Sequence, residues 1–265
     1  MNVHRSDIAT AGSLVGLIPA AGHATRLGNE SGSKELLAVW RPAGTRRREV
    51  LPAIRCLLSS FEAAAVKRTL LVIRNGKEDI PASLGTITKA GMRLEYVGVE
   101  DTPAPPFTLD AAVPRISEET VVMGFPDILF EPLGAVRQVL ARLRRAEADV
   151  VLGLFPHPRV RRADVVQLKA DGSVREVERA GKAGAAAWTW ALAAWRPRFT
   201  RFLHGYVAGL DSMDMDGRSL GVGDVVTAAI AKGLTVRGEV VSDVPFLDIG
   251  TPEALAEAYR RLEES

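Results

Sequence analysis

The stretch Leu17-Ile18-Pro19-Ala20-Ala21-Gly22-His23-Ala24-Thr25-Arg26-Leu27, continuing to Ser33-Lys34-Glu35-Leu36-Leu37, is the part of the chain best equipped for chemistry. An aliphatic run feeds directly into small residues, whose backbone N–H groups can approach a phosphate closely. Arg26 and Lys34 then supply the positive charge that a triphosphate requires. The combination points to a nucleotide. It is not a P-loop, because the Gly-Lys-Ser/Thr ending is absent, and it is not the dinucleotide fingerprint, because Gly22 alone of the required glycines is present.

Two acidic residues stand further along, at Asp127 in Gly124-Phe125-Pro126-Asp127 and at Asp248 in Phe246-Leu247-Asp248-Ile249-Gly250-Thr251. Each has a plain structural use, Asp127 at the end of a strand and Asp248 as a cap before a helix. Trp188 and Trp190 could line a pocket, although core packing is the commoner fate of such residues. Asp211 to Asp216 resembles a calcium loop only loosely, since its glycine and glutamate spacing is wrong. His23 reads as a surface loop histidine.

Positioning these residues falls to short aliphatic runs at Leu14 to Ile18, Thr69 to Ile73, Leu94 to Val99, Thr120 to Met123 and Asp149 to Leu154. Leu51 to Val66 and Leu133 to Ala148 carry apolar residues at helical spacing between them. Uninterrupted aliphatic strands separated by helices predict an α/β fold with a largely parallel sheet covered on both faces. Ligands of such sheets sit at the carboxyl ends of the strands. The second half predicts a hairpin from Val165 to Val177 turning on Asp171-Gly172, a helix over Val225 to Lys232, an extended run over Leu234 to Val241 and a final helix over Pro252 to Glu263. Asp101 to Pro114 reads as a Pro-rich loop within a single domain.

Composition limits the classes of function. The 265 residues are 47% hydrophobic and 25% charged, enough apolar content for a sizeable core. Lys plus Arg number 34 against 32 acids, a net charge of +2 that disfavours nucleic acid as a partner. The groups Arg46 to Arg48, Arg142 to Arg145 and Arg159 to Arg162 accordingly read as solvated faces. Cys56 is the lone cysteine, which leaves no internal disulfide or zinc cluster and fits a reducing, cytoplasmic compartment. The apolar run Ala9 to Ala21 lacks a basic flank, and Ala183 to Trp195 is too short to span a bilayer, so no membrane segment is expected.

Four segments, in order along the chain, resemble the sugar-1-phosphate nucleotidyltransferases, the nucleoside-diphosphate-sugar pyrophosphorylases. Leu17 to Arg26 with Lys34 to Leu37 resembles the family's signature loop, although Ala24 stands where a second glycine is usual. Val121 to Phe130 resembles its metal-binding strand end, with Phe125-Pro126 inserted between Gly124 and the aspartate. Val165 to Val177 resembles its hairpin before an acidic-basic pair, and Phe246 to Glu253 its late Asp-Ile-Gly-Thr-Pro motif.

That resemblance implies a Rossmann-like nucleotidyltransferase fold with a mixed, mainly parallel central sheet, its nucleotide-binding half over 1–135 and its sugar-phosphate-binding half over 136–265. It implies Mg²⁺-dependent formation of an NDP-sugar and pyrophosphate from a nucleoside triphosphate and a sugar 1-phosphate. Arg26 and Lys34 would be catalytic. Ala20, Ala21, Gly22, His23, Ala24 and Thr25 would bind nucleotide, Glu178 and Lys182 the sugar phosphate, and Asp127 and Asp248 the metal. Arg179 competes with Lys182 for its role. A cytidylyltransferase using a non-sugar phosphate, and a non-catalytic member that only binds nucleotide or NDP-sugar, are the alternatives. A homo-oligomer is compatible with all of these.

Overall fold

The computed structural model describes residues 13–23, 32–40, 50–157, 163–179, 188–210, 220–250 and 252–263. The chain begins with β1 (Leu14–Ala20), a 3₁₀ turn (Lys34–Leu36), β2 (Ala38–Trp40), β3 (Val50–Pro52) and α1 (Ala53–Ala63). It continues through β4 (Arg68–Arg74), α2 (Asp79–Leu84), β5 (Arg93–Val99), α3 (Pro105–Asp110), α4 (Val113–Ile116) and β6 (Thr120–Gly124). Next come β7 (Ile128–Leu129), α5 (Ala135–Arg145), β8 (Val150–Pro156), β9 (Val165–Leu168), β10 (Val174–Glu178) and β11 (Trp188–Trp195). The chain closes with α6 (Pro197–Ala208), α7 (Val222–Ala231), β12 (Val236–Val240), β13 (Leu247–Asp248) and α8 (Pro252–Glu263).

Seven strands form the central sheet in the order β12-β8-β11-β6-β1-β4-β5. Every neighbouring pair is parallel except those made by β11, which runs antiparallel to both β6 and β8. The expected α/β architecture with a mixed, mainly parallel sheet is therefore the one observed. Alternate residues of β1 go to opposite cores, Val15 and Leu17 to one face and Ile18 and Ala20 to the other, all without exposure. Burial on both faces explains the uninterrupted aliphatic run, and each such Leu or Ile contributes roughly 1.5–3 kcal/mol by leaving water.

The hairpin forms as expected, with Gly172 at φ 77° in its turn, a conformation that glycine adopts without Cβ strain. Two expectations need correction. Asp101 to Pro114 is not a loop throughout, because it contains α3 and the start of α4, each with a proline in its first turn, where the missing N–H and fixed φ suit a helix. Leu51 and Pro52 are extended rather than helical: they pair with β2, and proline at 52 holds the preceding residue out of the helical region. No helix among the described residues is long and apolar enough to cross a membrane.

Candidate active site

After β6 the chain turns through Phe125-Pro126-Asp127 into β7, which pairs antiparallel with β13 and sets Asp248 opposite Ile128. The backbone N–H of Ile249 donates to the Asp127 carbonyl at 3.0 Å, so the two aspartates leave this ribbon side by side. Beneath it lies a small apolar floor that includes Val39, Ala53, Leu129, Ile249 and Leu255. That floor fixes the ribbon against α1 and α8.

Lys34, in the 3₁₀ turn that follows the signature loop, donates from Nζ to Asp127 Oδ2. Gly250 shows how tightly the three charges converge. A Cβ built there would stand 2.9 Å from Asp248 Oδ1, 3.3 Å from Asp127 Oδ2 and 3.7 Å from Lys34 Nζ. Burial opposes the charge on Lys34, but Asp127, with Glu35 and Asp248 behind it, outweighs burial and lifts the lysine above its ordinary value. The ammonium therefore stays protonated between two carboxylates. Two hard oxygen donors, completed by phosphate oxygens and water, are the set that Mg²⁺ accepts, so the residues present fit that ion. No cluster of three or more His, Cys, Asp or Glu suited to a fully protein-caged metal occurs among the described residues.

The small-residue loop leaves the carboxyl end of β1, next to β6 in the sheet. Ala20 and Ala21 are buried, whereas Gly22 and His23 are exposed. His23 Nε2 meets Asp101 Oδ1 at 2.6 Å, and Arg74 Nε approaches the same carboxylate at 3.7 Å. Ala24, Thr25, Arg26 and Lys182 lie outside the described residues, as do Arg46 to Arg48, Arg159 to Arg162 and Asp211 to Asp216.

On the other side of β6 stands β11, whose Trp190 packs on Phe125 with ring centroids 5.6 Å apart. Its indole Nε1 points to Asp164 Oδ2 at 3.4 Å, so Trp190 is 5% exposed and structural in part, as the plainer reading of that residue expected. Burial raises the Asp164 carboxyl above the usual range, and Trp190 and Arg179 offset only some of that effect. Glu178 is engaged across the hairpin, where Gln167 Nε2 donates to it at 3.2 Å. Arg179 lies 3.7 Å from Asp224, which caps the first turn of α7 through the Gly221 N–H.

The structure thus brings Lys34, Asp127 and Asp248 together and places Glu178 on the separate β9–β10 hairpin. Sequence reasoning passed over Glu35, Lys77 and Asp79. Lys77 Nζ donates to Glu35 Oε1 at 2.7 Å and to the Ala20 carbonyl at 2.9 Å, while Asp79 accepts both the N–H and the hydroxyl of Ser33 at 2.7 Å each. The rule that ligands gather at the carboxyl ends of parallel strands could have drawn attention to Arg74-Asn75-Gly76-Lys77-Glu78-Asp79, which follows β4.

No protein-family model matches the chain, and no curated protein matches it. Solved structures do. A protein of Bacillus anthracis assigned as a glucose-1-phosphate thymidylyltransferase, solved with sucrose, superposes with TM-score 0.79 at 16% identity, covering 96% of each chain. A UDP-glucose pyrophosphorylase solved with UDP-glucose gives 0.76 at 13% identity, over 95% of this chain and 99% of that one. The inositol-1-phosphate CTP transferase of T. maritima gives 0.67 at 14% identity, over 96% and 98%. Across nearly its whole length, the chain has the Rossmann-like fold of the sugar-phosphate nucleotidyltransferases.

Proposed function

We propose that the protein is a nucleotidyltransferase that makes an NDP-sugar and pyrophosphate from a nucleoside triphosphate and a sugar 1-phosphate. The observation that carries this reading is the meeting of Lys34 with Asp127 and Asp248 at the carboxyl edge of the sheet, in a fold that such enzymes share. An oxygen of the acceptor phosphate attacks the α-phosphorus, and the bond to the β-phosphate oxygen breaks with its electron pair leaving on pyrophosphate. The acceptor phosphate is already ionised, so no general base is required. Mg²⁺ held by Asp127 and Asp248 would supply charge neutralisation at the phosphate oxygens.

The chain's own groups bind and orient. Lys34 contacts phosphate beside Arg26, which holds the β- and γ-phosphates and stabilises the leaving pyrophosphate. The backbone and side chains from Ala20 to Thr25, His23 included, cradle the nucleotide in the 1–135 half. Glu178 and Lys182 serve the acceptor in the 136–265 half, Glu178 through sugar hydroxyls and Lys182 through the phosphate. The charged substrates and the lone cysteine suit the cytoplasm. Cytidyl transfer to a polyol phosphate is the second reading, favoured by the likeness to the inositol-1-phosphate CTP transferase.

Pyrophosphate release from UTP, dTTP, CTP, ATP and GTP, each against a panel of sugar 1-phosphates and polyol phosphates with Mg²⁺, tests the proposal. One productive pair is expected, with its rate collapsing in Asp127→Asn. Silence across the panel, with NDP-sugar still bound, would transfer the weight to a non-catalytic sensor.

A further inference from the structure

The 3₁₀ turn that carries Lys34 is weak by itself. Its own backbone bonds are Leu36 N–H to Ser33 O at 2.9 Å and Leu37 N–H to Lys34 O at 3.1 Å, and no side chain caps its start. So short a helix does not hold its place in water without outside contacts. Beyond the Lys34–Asp127 bond and the 2.9 Å bond from the Ala53 N–H to the Leu37 carbonyl, those contacts come from the turn that leads from β4 into the first residue of α2. On one side of Lys34, Asp79 accepts both polar hydrogens of Ser33; on the other, Lys77 grips Glu35 and, with the same ammonium, the Ala20 carbonyl at the end of β1.

Stability alone is a poor account of the Lys77–Glu35 pair. Lys77 is 4% exposed and Glu35 1%, and Glu35 Oε2 is buried with no hydrogen-bond partner among the described residues. Removing two such charges from water costs about as much as their attraction returns, and apolar residues of similar volume commonly do as well or better. What an apolar pair would not provide is direction: a single buried ammonium fixes the strand end and the residue after Lys34 relative to each other.

We propose that Lys77 and Asp79 are positioning residues, which hold Lys34 from both sides and lock its turn to the end of β1. They act through Lys34 and through the carboxyl end of β1. The turn that bears them is itself closed by Lys77 N–H to Arg74 O and Ile80 N–H to Lys77 O, each 3.1 Å, so it moves with β4. Lys34 is in this way referenced to the central sheet. The catalytic consequence rests on the transferase reading above; the tether itself does not.

The test compares Asp79→Ala, Asp79→Asn and the apolar double variant Glu35→Leu/Lys77→Met with the wild-type protein, by hydrogen exchange, thermal melting and turnover. In Asp79→Ala and in the double variant, the Leu36 and Leu37 amides should exchange at least about tenfold faster while those of β4 and α1 keep their protection. The double variant should melt near the wild-type temperature, yet kcat in both should fall about 10- to 100-fold, the loss typical of misplacing a group by an ångström. Asp79→Asn, which can still accept the Ser33 N–H and donate to its hydroxyl, should recover most of both. Unchanged exchange at Leu36 and Leu37 would overturn the tether, and unchanged kcat per folded molecule would overturn its catalytic role. A wild-type protein that releases no pyrophosphate would sink the transferase reading instead, leaving the exchange measurement to decide the tether.

Discussion

Replacing Gly250 by alanine inserts one methyl group into the centre of the charged cluster. Its Cβ would lie 2.9 Å from Asp248 Oδ1, where ordinary contact begins at 3.4 Å, so that oxygen must retreat by about 0.5 Å. Asp127 Oδ2, at 3.3 Å, is crowded only slightly, and Lys34 Nζ, at 3.7 Å, is untouched. The same movement stretches the 2.9 Å hydrogen bond from the Gly250 N–H to Asp248 Oδ1. Groups at a reacting centre must be held to within about half an ångström, so kcat should drop roughly 10- to 100-fold, or about 1.4–2.7 kcal/mol of transition-state stabilisation. The fold should tolerate the change within about 1 kcal/mol, because the crowded atoms are side-chain ends. Pyrophosphate release at saturating substrates, paired with a thermal melt, reads both quantities. Full wild-type turnover in Gly250→Ala would refute the claim that Asp248 works at this spot.

Other perturbations reach different parts of the account. Lys34→Met removes the ammonium that pairs with Asp127 and should lower turnover at least about 100-fold, and Lys34→Arg should rescue little of it, because a planar guanidinium does not replace a compact ammonium; a fully active Lys34→Met would contradict its role. Burial pushes the Asp79 carboxyl up, but hydrogen bonds from the Ser33 hydroxyl and N–H pull it below the usual aspartate range. Its stabilisation is therefore present above the ordinary carboxylate pKa and is lost as the pH falls through the lower folded value, so the melting difference between wild type and Asp79→Asn should shrink as the pH drops from 6 towards 3, whereas a constant difference would count against the bond. Gly124→Ala would drive a Cβ to 2.6 Å from Leu57 Cδ1 and 3.0 Å from Leu192 Cδ2, both in the packed core, and should destabilise by about 1–3 kcal/mol; an unchanged melting temperature would show that the core yields there.

The parallel strands were legible in the sequence because burial on both faces leaves a continuous aliphatic signature, as in Leu14 to Ile18 and Thr69 to Ile73. The same property hid the direction of β11, since Trp190-Ala191-Leu192-Ala193-Ala194 is apolar on both faces whichever way it runs. Proline content made Asp101 to Pro114 look like a loop, although proline at a first-turn position begins a helix as readily as it ends one. Lys34, Asp127 and Asp248 were visible as motif residues. That they meet is a product of sheet order and of the β7–β13 pairing, neither of which sequence spacing reveals. Lys77 and Asp79 escaped notice because a charged turn after a strand looks solvated until the neighbouring strand is known, and only the β1–β4 pairing brings that turn to Ser33 and Glu35. Asp164 was hidden for a similar reason, since nothing local to Ala163-Asp164-Val165 shows that Trp190 will fold over it.

Transfer of an isotopic label shows which phosphorus is attacked and where the acceptor phosphate goes. An acceptor whose phosphate carries ¹⁸O in its terminal oxygens is incubated with the productive nucleoside triphosphate and Mg²⁺, and both products are weighed by mass spectrometry. Attack of that phosphate on the α-phosphorus predicts that all the ¹⁸O appears in the nucleoside-diphosphate product and none in the pyrophosphate. Label in the released pyrophosphate or orthophosphate, or a nucleotide hydrolysed without joining the acceptor, would contradict the account.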